Sequence, residues 1–175
     1  MAKCRNKGCD NEFIQYSTLQ KLCIPCSIAK GRAIQAKTER KAHNEAKEKL
    51  LTKSDHAKLT QAQCNRYIRA RDYGKVCISC QKPPKKKNAG HYRSVGAQGA
   101  LRFNEFNIHL QCEHCNTHLS SNAIEYRINL VDKIGIDMVE WLETDHQAKH
   151  YTIEELIEIR ALYSYFAREL ERQQD

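Results

Sequence analysis

Eight of the nine cysteines fall into two groups of four whose spacing is typical of zinc binding. The groups are Cys4, Cys9, Cys23 and Cys26, and Cys77, Cys80, Cys112 and Cys115. A Cys-x-x-Cys turn directs both sulfurs at one ion, and a further pair completes a tetrahedral shell with Zn–S near about 2.3 Å. A redox pair could account for one such turn but not for several. We therefore predict two structural Zn²⁺ ions, and we expect Cys64 to be a small core residue.

A histidine and two asparagines accompany the second cysteine group. His91 and Asn107 lie between its two Cys-x-x-Cys turns, and Asn116 directly follows Cys115. Phosphodiester hydrolysis needs a base that activates water and a hard cation that neutralises charge on the phosphate. A neutral histidine is a suitable base near pH 7, and oxygen donors suit Mg²⁺. These residue types therefore favour a metal-dependent nuclease.

The order of these motifs resembles known phage nucleases. Cys-x-x-Cys, His and Cys-x-x-Cys-Asn in succession are similar to phage endonuclease VII, a resolvase of Holliday junctions with a ββα-metal (HNH) finger. A wider pattern resembles the NinG/Rap recombination endonucleases of lambdoid phages over most of the chain, and it comprises residues 68–72, 77–80, 89–94, 101–103 and 122–127. The resemblance implies a structure-specific endonuclease that acts on branched intermediates such as Holliday junctions and D-loops, with Mg²⁺ or Mn²⁺ as the catalytic metal.

The same resemblance implies a role for each site residue. His91 becomes the general base, Asn107 braces the loop and orients His91 through a hydrogen bond, and Asn116 becomes a ligand of the catalytic metal. Endonuclease VII-like sites carry an acidic ligand directly before the base, where this chain has Gly90. We expect the missing ligand to come from His109, His118 or Glu125. The last two are seven residues apart and would share a helix face.

The charge balance favours a polyanionic partner. The formal net charge is +8, from 29 Lys and Arg against 21 Asp and Glu, although two zinc ions with eight thiolates would lower it to about +4. No base-reading element is evident, so we expect recognition of the shape of branched or double-stranded DNA. The predicted phosphate contacts are Lys85, Lys86, Lys87, Arg93, Arg102 and Arg127. Symmetric cutting of a junction needs two sites, so we expect a homodimer formed through helix 33–51 and the last helix.

We expect a mainly helical α+β fold to position these residues. We predict an amino-terminal Cys4 zinc finger (1–31), a helical arm or linker (32–72), a zinc-bound ββα-metal (HNH) core (73–132) and carboxy-terminal helices (133–175). The arm holds helix 33–51 and a second helix that begins at Thr60. Extended runs at 90–94 and 107–111 precede a helix over 116–132. Two more helices follow at 136–142 and 152–172, and Thr152 with Glu155 predicts a capping box at the start of the latter.

The sequence also leaves other functions open. Without an acid at Gly90 the chain could be a double zinc-finger protein that binds nucleic acid without cutting it. It could also be a sequence-specific HNH nuclease, or a zinc scaffold for other proteins. No signal peptide opens the sequence and no apolar run approaches the roughly 20 residues of a membrane span, so we expect a cytoplasmic protein, in the bacterial host if it is phage-encoded.

Overall fold

The computed structural model describes residues 1–174, which form a mixed α+β, mainly helical structure in two compact units, residues 1–51 and 52–174. The first unit contains β1 (Ala2–Lys3), β2 (Glu12–Phe13) and α1 (Ile24–Lys49). The second contains α2 (Lys53–Arg71), β3 (Lys87–His91), β4 (Ile108–Cys112), α3 (Ala123–Ile134), α4 (Ile136–Glu143) and α5 (Ile153–Arg172). No helix within residues 1–174 combines the length and the hydropathy that a membrane span requires.

Helix α1 of the first unit begins earlier than predicted. It starts directly after Cys23, inside the Cys-x-x-Cys turn, because Pro25 in its first turn has the backbone angle that a helix start requires. Gly31 is accommodated in the helix interior, so the helix predicted over 33–51 spans Ile24–Lys49 instead. The boundary predicted between residues 31 and 32 therefore lies within α1. None of the residues of α1, all of which are described, is buried.

Helix α2 also begins before its predicted start. Thr52 is the N-cap, and its hydroxyl and the Asp55 carboxylate form a capping box with each other's backbone N–H groups. The predicted start at Thr60 is wrong, because this residue is buried in the helix interior. Its hydroxyl lies 2.8 Å from the backbone carbonyl of Leu156, which ties α2 to α5.

Helices α2 and α5 enclose one of the two cores of the second unit. The rings of Tyr67 and Tyr163 lie 5.2 Å apart between them. The buried residues of this core are Cys64, Ile68, Phe103, Ile108 and Leu156, which confirms the core position expected for Cys64. Helix α5 begins at the predicted capping box of Thr152 and Glu155. Its inner face packs within its own chain, which leaves the outer face for any dimer contact.

Strands β3 and β4 form an antiparallel hairpin between the two cores. Gly90 pairs with His109, and Lys87 pairs with Cys112 at the open end. Ala89 and Ile108 contact the core between α2 and α5. A second core covers the other side and consists of Ile78, Leu101, Tyr126, Leu130, Val139 and Leu142.

The helix predicted over 116–132 begins only at Ala123, because the chain breaks after the second cysteine group. Residues His114–His118 form a π-helical turn, and Ser120, Ser121 and Asn122 then adopt left-handed backbone angles before α3 begins. The turn returns Cys115 toward the other cysteines, and the carbonyl of Ser121 accepts a hydrogen bond from Gln111. A helix continued through this region would lose both arrangements.

A buried carboxylate joins three elements of the second unit. Asp72 follows α2 and is fully buried. It accepts hydrogen bonds from Arg71 at 2.8 Å, from Lys75 at 3.0 Å and from the backbone N–H of Leu110 on β4 at 3.2 Å. Lys133 on α3 lies 3.4 Å away. Burial by itself would raise the pKa of Asp72, but the hydrogen bonds and charge of Arg71, followed by Lys133 and Lys75, hold it well below its usual range.

Candidate functional site

The predicted cysteine groups come together as two four-sulfur clusters. Within each cluster the four Sγ atoms all lie within 4.8 Å of one another. The Sγ atoms of Cys9 and Cys23 are 3.8 Å apart, as are those of Cys80 and Cys112. A tetrahedron with Zn–S near 2.3 Å has edges of about 3.8 Å, so each cluster has the dimensions of a structural zinc site.

Backbone and side-chain N–H groups surround these sulfurs. The backbone N–H of Cys23 points at the Sγ of Cys4 over 3.4 Å, and that of Cys115 points at the Sγ of Cys112 over 3.4 Å. The amide of Asn6 donates to the Sγ of Cys26. Hydrogen bonds from N–H groups stabilise the thiolate that binds a metal, whereas neighbouring sulfurs disfavour it. The hydrogen bond from Asn6 lowers the pKa of Cys26, but its contacts with Cys9 and Cys23 outweigh it and raise this pKa to about 12. The hydrogen bond from Cys23, followed by one from Asn6, lowers the pKa of Cys4 to about 7.

His91 stands at the end of β3 and is held by the loop that follows. Its Nε2 lies 3.0 Å from the backbone carbonyl of Arg102. A carbonyl can only accept, so Nε2 carries the proton and Nδ1 has the lone pair. Burial lowers the pKa of His91 below 6.5, against the opposing effect of the hydrogen bond to Arg102. The ring is therefore neutral at pH 7, with Nδ1 as its basic atom.

Asn107 holds the loop between the strands, as expected. It is fully buried, its Oδ1 accepts from the backbone N–H of Arg93 at 2.7 Å, and its Nδ2 donates to the carbonyls of Arg93 and Leu101. The predicted hydrogen bond from Asn107 to His91 does not form, because the loop engages both the amide oxygen and the amide nitrogen of Asn107. The backbone carbonyl of Arg102 orients His91 instead.

Gly90 lies under two side chains that occupy the space a Cβ atom would take. A Cβ built there would collide with the side-chain amide of Gln111 and would stand 2.8 Å from Oδ1 of Asn116. The π-helical turn directs Asn116 to this point, directly after the cysteine cluster. Asn116, the predicted metal ligand, thus lies beside Gly90, the position at which endonuclease VII-like sites carry an acidic ligand. Sequence reasoning overlooked Gln111, although its register position two residues from His109 on β4 placed it on the same face.

The three residues expected to replace the acid are placed elsewhere. His109 is buried, its Nδ1 lies 3.2 Å from the hydroxyl of Tyr126, and burial lowers its pKa to about 3. Since the Tyr126 hydroxyl donates to the carbonyl of Gly90, His109 must donate to Tyr126, and this side of its ring is part of the packing. His118 and Glu125 are exposed and lie on either side of the left-handed break. The shared helix face predicted for them does not exist.

Some of the residues predicted to contact DNA already bind another side chain of the protein, and others do not. Arg127 forms two hydrogen bonds with Glu143, and Lys86 forms an ion pair with Glu113. The guanidinium of Arg102 donates to Gln61 on α2. Within residues 1–174, Lys85, Lys87 and Arg93 make no ion pair, and the buried Nε of Arg93 has no hydrogen-bond partner.

The fold and the site define a mainly helical α+β protein with two four-cysteine clusters, each of which could hold a metal ion, and with a β-hairpin bound to the second. The family described as Bacteriophage Lambda NinG protein matches residues 1–173, and the chain belongs to this family.

Similar curated proteins come from several phages. Protein ninG of Escherichia phage lambda and protein ninG of Salmonella phage P22 are each 41% identical over 122 residues, which is 69% of this chain and 60% of the relative. Protein ninG of Escherichia phage 933W is 39% identical over the same length. The chain therefore spans about three fifths of the length of these relatives. No solved structure matches the chain.

Proposed function

We propose that the chain is a metal-dependent, structure-specific endonuclease that hydrolyses phosphodiester bonds in branched recombination intermediates such as Holliday junctions and D-loops. The observation that carries the proposal is the neutral ring of His91. It is fixed by Arg102 at the end of a strand that a four-cysteine cluster anchors, one residue from the space where Asn116 presents an oxygen.

His91 has the properties of a general base. Nε2 is committed to the carbonyl of Arg102, so the ring can accept a proton only at Nδ1. Within residues 1–174 that atom has no hydrogen-bond partner, so a water molecule can occupy the position. A pKa below 6.5 keeps the base unprotonated at neutral pH.

The order Gly90-His91 suits an in-line displacement. Consecutive residues of a strand direct their side chains to opposite faces, so the ring of His91 and the space beside Gly90 flank the end of β3 from two sides. In-line attack places the water and the leaving oxygen on opposite sides of phosphorus. We therefore place the scissile phosphodiester at the end of β3, with His91 on the side of the attacking water.

The residues beside Gly90 fit a divalent cation. Because Gly90 has no side chain, Oε1 of Gln111 occupies the space of a Cβ atom, and Oδ1 of Asn116 lies 2.8 Å from the same point. Oxygen donors are what Mg²⁺ and Mn²⁺ prefer. When bound, the cation would neutralise charge on the phosphate and on the departing oxygen. Asn116 would hold it, while Asn107 keeps the loop that carries Arg102 in place for His91.

Three cations that form no ion pair within residues 1–174 are available for phosphate contacts. Lys85, Lys87 and Arg93 lie close to His91 in sequence, and the unpartnered Nε of Arg93 favours an anionic acceptor. Arg127 and Lys86 would have to leave their carboxylates first, so we assign them a smaller part. The shape of a junction, rather than its bases, would select the substrate, and a homodimer would supply two sites.

A cleavage assay with a matched variant tests the proposal. The full chain is incubated with a synthetic four-way junction and with a linear duplex of the same sequence, in Mg²⁺ and in Mn²⁺. We expect cutting of the junction, a loss of about 10²-fold or more in His91→Ala, and full activity in His118→Ala, which removes an exposed histidine.

Each other outcome favours a different function. Junction binding without cutting by any form would support the non-catalytic double zinc-finger protein. Equal cutting of junction and duplex at one sequence would support the sequence-specific nuclease. Equal activity of His91→Ala and the unchanged chain would refute His91 as the base.

A further inference from the structure

Gln111 on β4 has an amide whose orientation is fixed by its surroundings. The side chain is fully buried. Its Nε2 donates to the carbonyl of Ser121 at 2.8 Å and to the hydroxyl of Ser79 at 2.6 Å. Because a carbonyl can only accept, the nitrogen must face Ser121 and the oxygen must face the other way.

The oxygen of Gln111 is left without a partner. Its Oε1 is buried, and no group in residues 1–174 donates a hydrogen bond to it. It fills the place where a Cβ of residue 90 would stand, and Oδ1 of Asn116 lies 2.8 Å from the same point. Leaving a buried acceptor unsatisfied costs about 1–3 kcal/mol, so an occupant that donates a hydrogen bond or carries a positive charge would be stabilised beside these two amide oxygens.

We propose that Oε1 of Gln111 is a ligand of the divalent cation and replaces, from β4, the acid that position 90 lacks. In this arrangement Gln111 and Asn116 supply a pair of neutral oxygens, and glycine at position 90 is required because any side chain there would displace the Gln111 oxygen. The catalytic purpose of the cation rests on the function proposed above, whereas the binding of the cation does not.

The chemistry of the ligands sets the class of ion and its affinity. Two amide oxygens suit Mg²⁺ and Mn²⁺, which retain several waters and also bind phosphate oxygens. Neither ligand carries charge, so the cation is bound weakly by the protein alone and more tightly when a DNA phosphate completes the site. Thiolate clusters select Zn²⁺, so Mn²⁺ can be added to the zinc-loaded protein without exchange.

A direct test observes the side chain itself. Substoichiometric Mn²⁺ is added to the zinc-loaded, ¹⁵N-labelled full chain, and the side-chain amide signals are followed by NMR. We expect selective broadening of the signals of Gln111 and Asn116. Gln98 is the internal control, since it is also buried but donates to Asp145. Equal broadening of Gln98 and Gln111, or none of Gln111, would overturn the proposal.

Variants test the same assignment through affinity. Gln111→Met keeps the length of the side chain and removes the oxygen, Gly90→Ala keeps the oxygen but fills its space, and Gln98→Met is the control. Loss of outer-shell partners weakens metal sites about tenfold or more, so loss of a direct ligand should weaken Mn²⁺ binding by at least about tenfold in the first two variants. The affinity is measured by electron paramagnetic resonance, and retention of two zinc ions shows that each variant is folded. Unchanged affinity in Gln111→Met with zinc retained would refute the assignment.

The two proposals fail in different ways. If the chain binds Mn²⁺ through Gln111 but cuts no junction, the nuclease proposal fails and the cation site stands. If it cuts junctions while Gln111→Met binds Mn²⁺ normally, the nuclease stands and the ligand assignment fails.

Discussion

Replacement of Asp72 by asparagine should destabilise the second unit strongly. The change keeps the size of the side chain and an acceptor for the N–H of Leu110, but it removes the charge that Arg71, Lys75 and Lys133 face. Breaking a buried ion pair costs about 3–5 kcal/mol because it leaves an uncompensated charge. Lys75 is about half exposed and can turn to water, so we expect the lower end, about 3 kcal/mol.

The loss can be followed through one tryptophan. Trp141 is the single tryptophan of the sequence and lies in α4 of the second unit, so its fluorescence reports the unfolding of that unit. A loss of about 3 kcal/mol corresponds to a fall in Tm of roughly 10 °C for a domain of this size. Asp132→Asn is the matched control, because Asp132 is an exposed carboxylate on α3 and its loss should change the free energy of unfolding by less than about 0.5 kcal/mol.

The dependence on pH follows from the lowered pKa of Asp72. A carboxyl group with a lower pKa in the folded state adds stability above its unfolded value near 4, and this stability is lost as the pH falls through the folded value. The difference between Asp72→Asn and the unchanged chain should therefore be full and constant from about pH 6 to 8, where the zinc ligands also remain bound. Equal stability of the two proteins at pH 7 would refute the role assigned to Asp72.

Three further outcomes are expected. If His91 is the base, junction cleavage should rise with pH through a value below 6.5 and then level off, because burial favours the neutral ring; a rise centred well above 6.5 would contradict this assignment. Cys112→Ala should lower the zinc content from two ions to one by mass spectrometry under native conditions, whereas Cys64→Ala should retain both, since Cys64 lies outside the clusters. Tyr126→Phe should destabilise the chain by about 1–3 kcal/mol in urea, because it leaves a buried N–H of His109 unpaired and removes the hydroxyl that donates to the Gly90 carbonyl; an unchanged midpoint would show that these bonds contribute little.

The cysteine spacing was sufficient to predict both four-cysteine clusters, each of which could hold a metal ion. Two thiols separated by two residues point to one ion whatever the rest of the chain does, so this inference needed only local geometry. The two carboxy-terminal helices, α4 and α5, could also be predicted from local signals. The capping box of Thr152 and Glu155 and the apolar periodicity are local signals, and α5 begins where they place it.

Features that depend on partners distant in sequence were missed or misplaced. Thr60 has the residue type of a helix cap, but α2 already begins at the capping box of Thr52 and Asp55, a local signal that was missed. The Thr60 hydroxyl instead donates to the carbonyl of Leu156, a contact that no local pattern contains. The helix predicted after Cys115 is interrupted because the chain turns the Sγ of Cys115 toward the cysteine cluster. The same turn presents the carbonyl of Ser121 to the side chain of Gln111. Tertiary hydrogen bonds thus override helix propensity at this point.

The sequence by itself determined which residue types were available: eight thiols in two groups, a histidine at position 91, an asparagine at position 116 and a glycine at position 90. Only the tertiary structure decided how that histidine is oriented and which oxygen lies over Gly90. Arg102 fixes the proton of His91, and Ser79 with Ser121 turns the oxygen of Gln111 toward the glycine. These are hydrogen bonds between segments ten to thirty-two residues apart, and they form only when the chain brings those segments together.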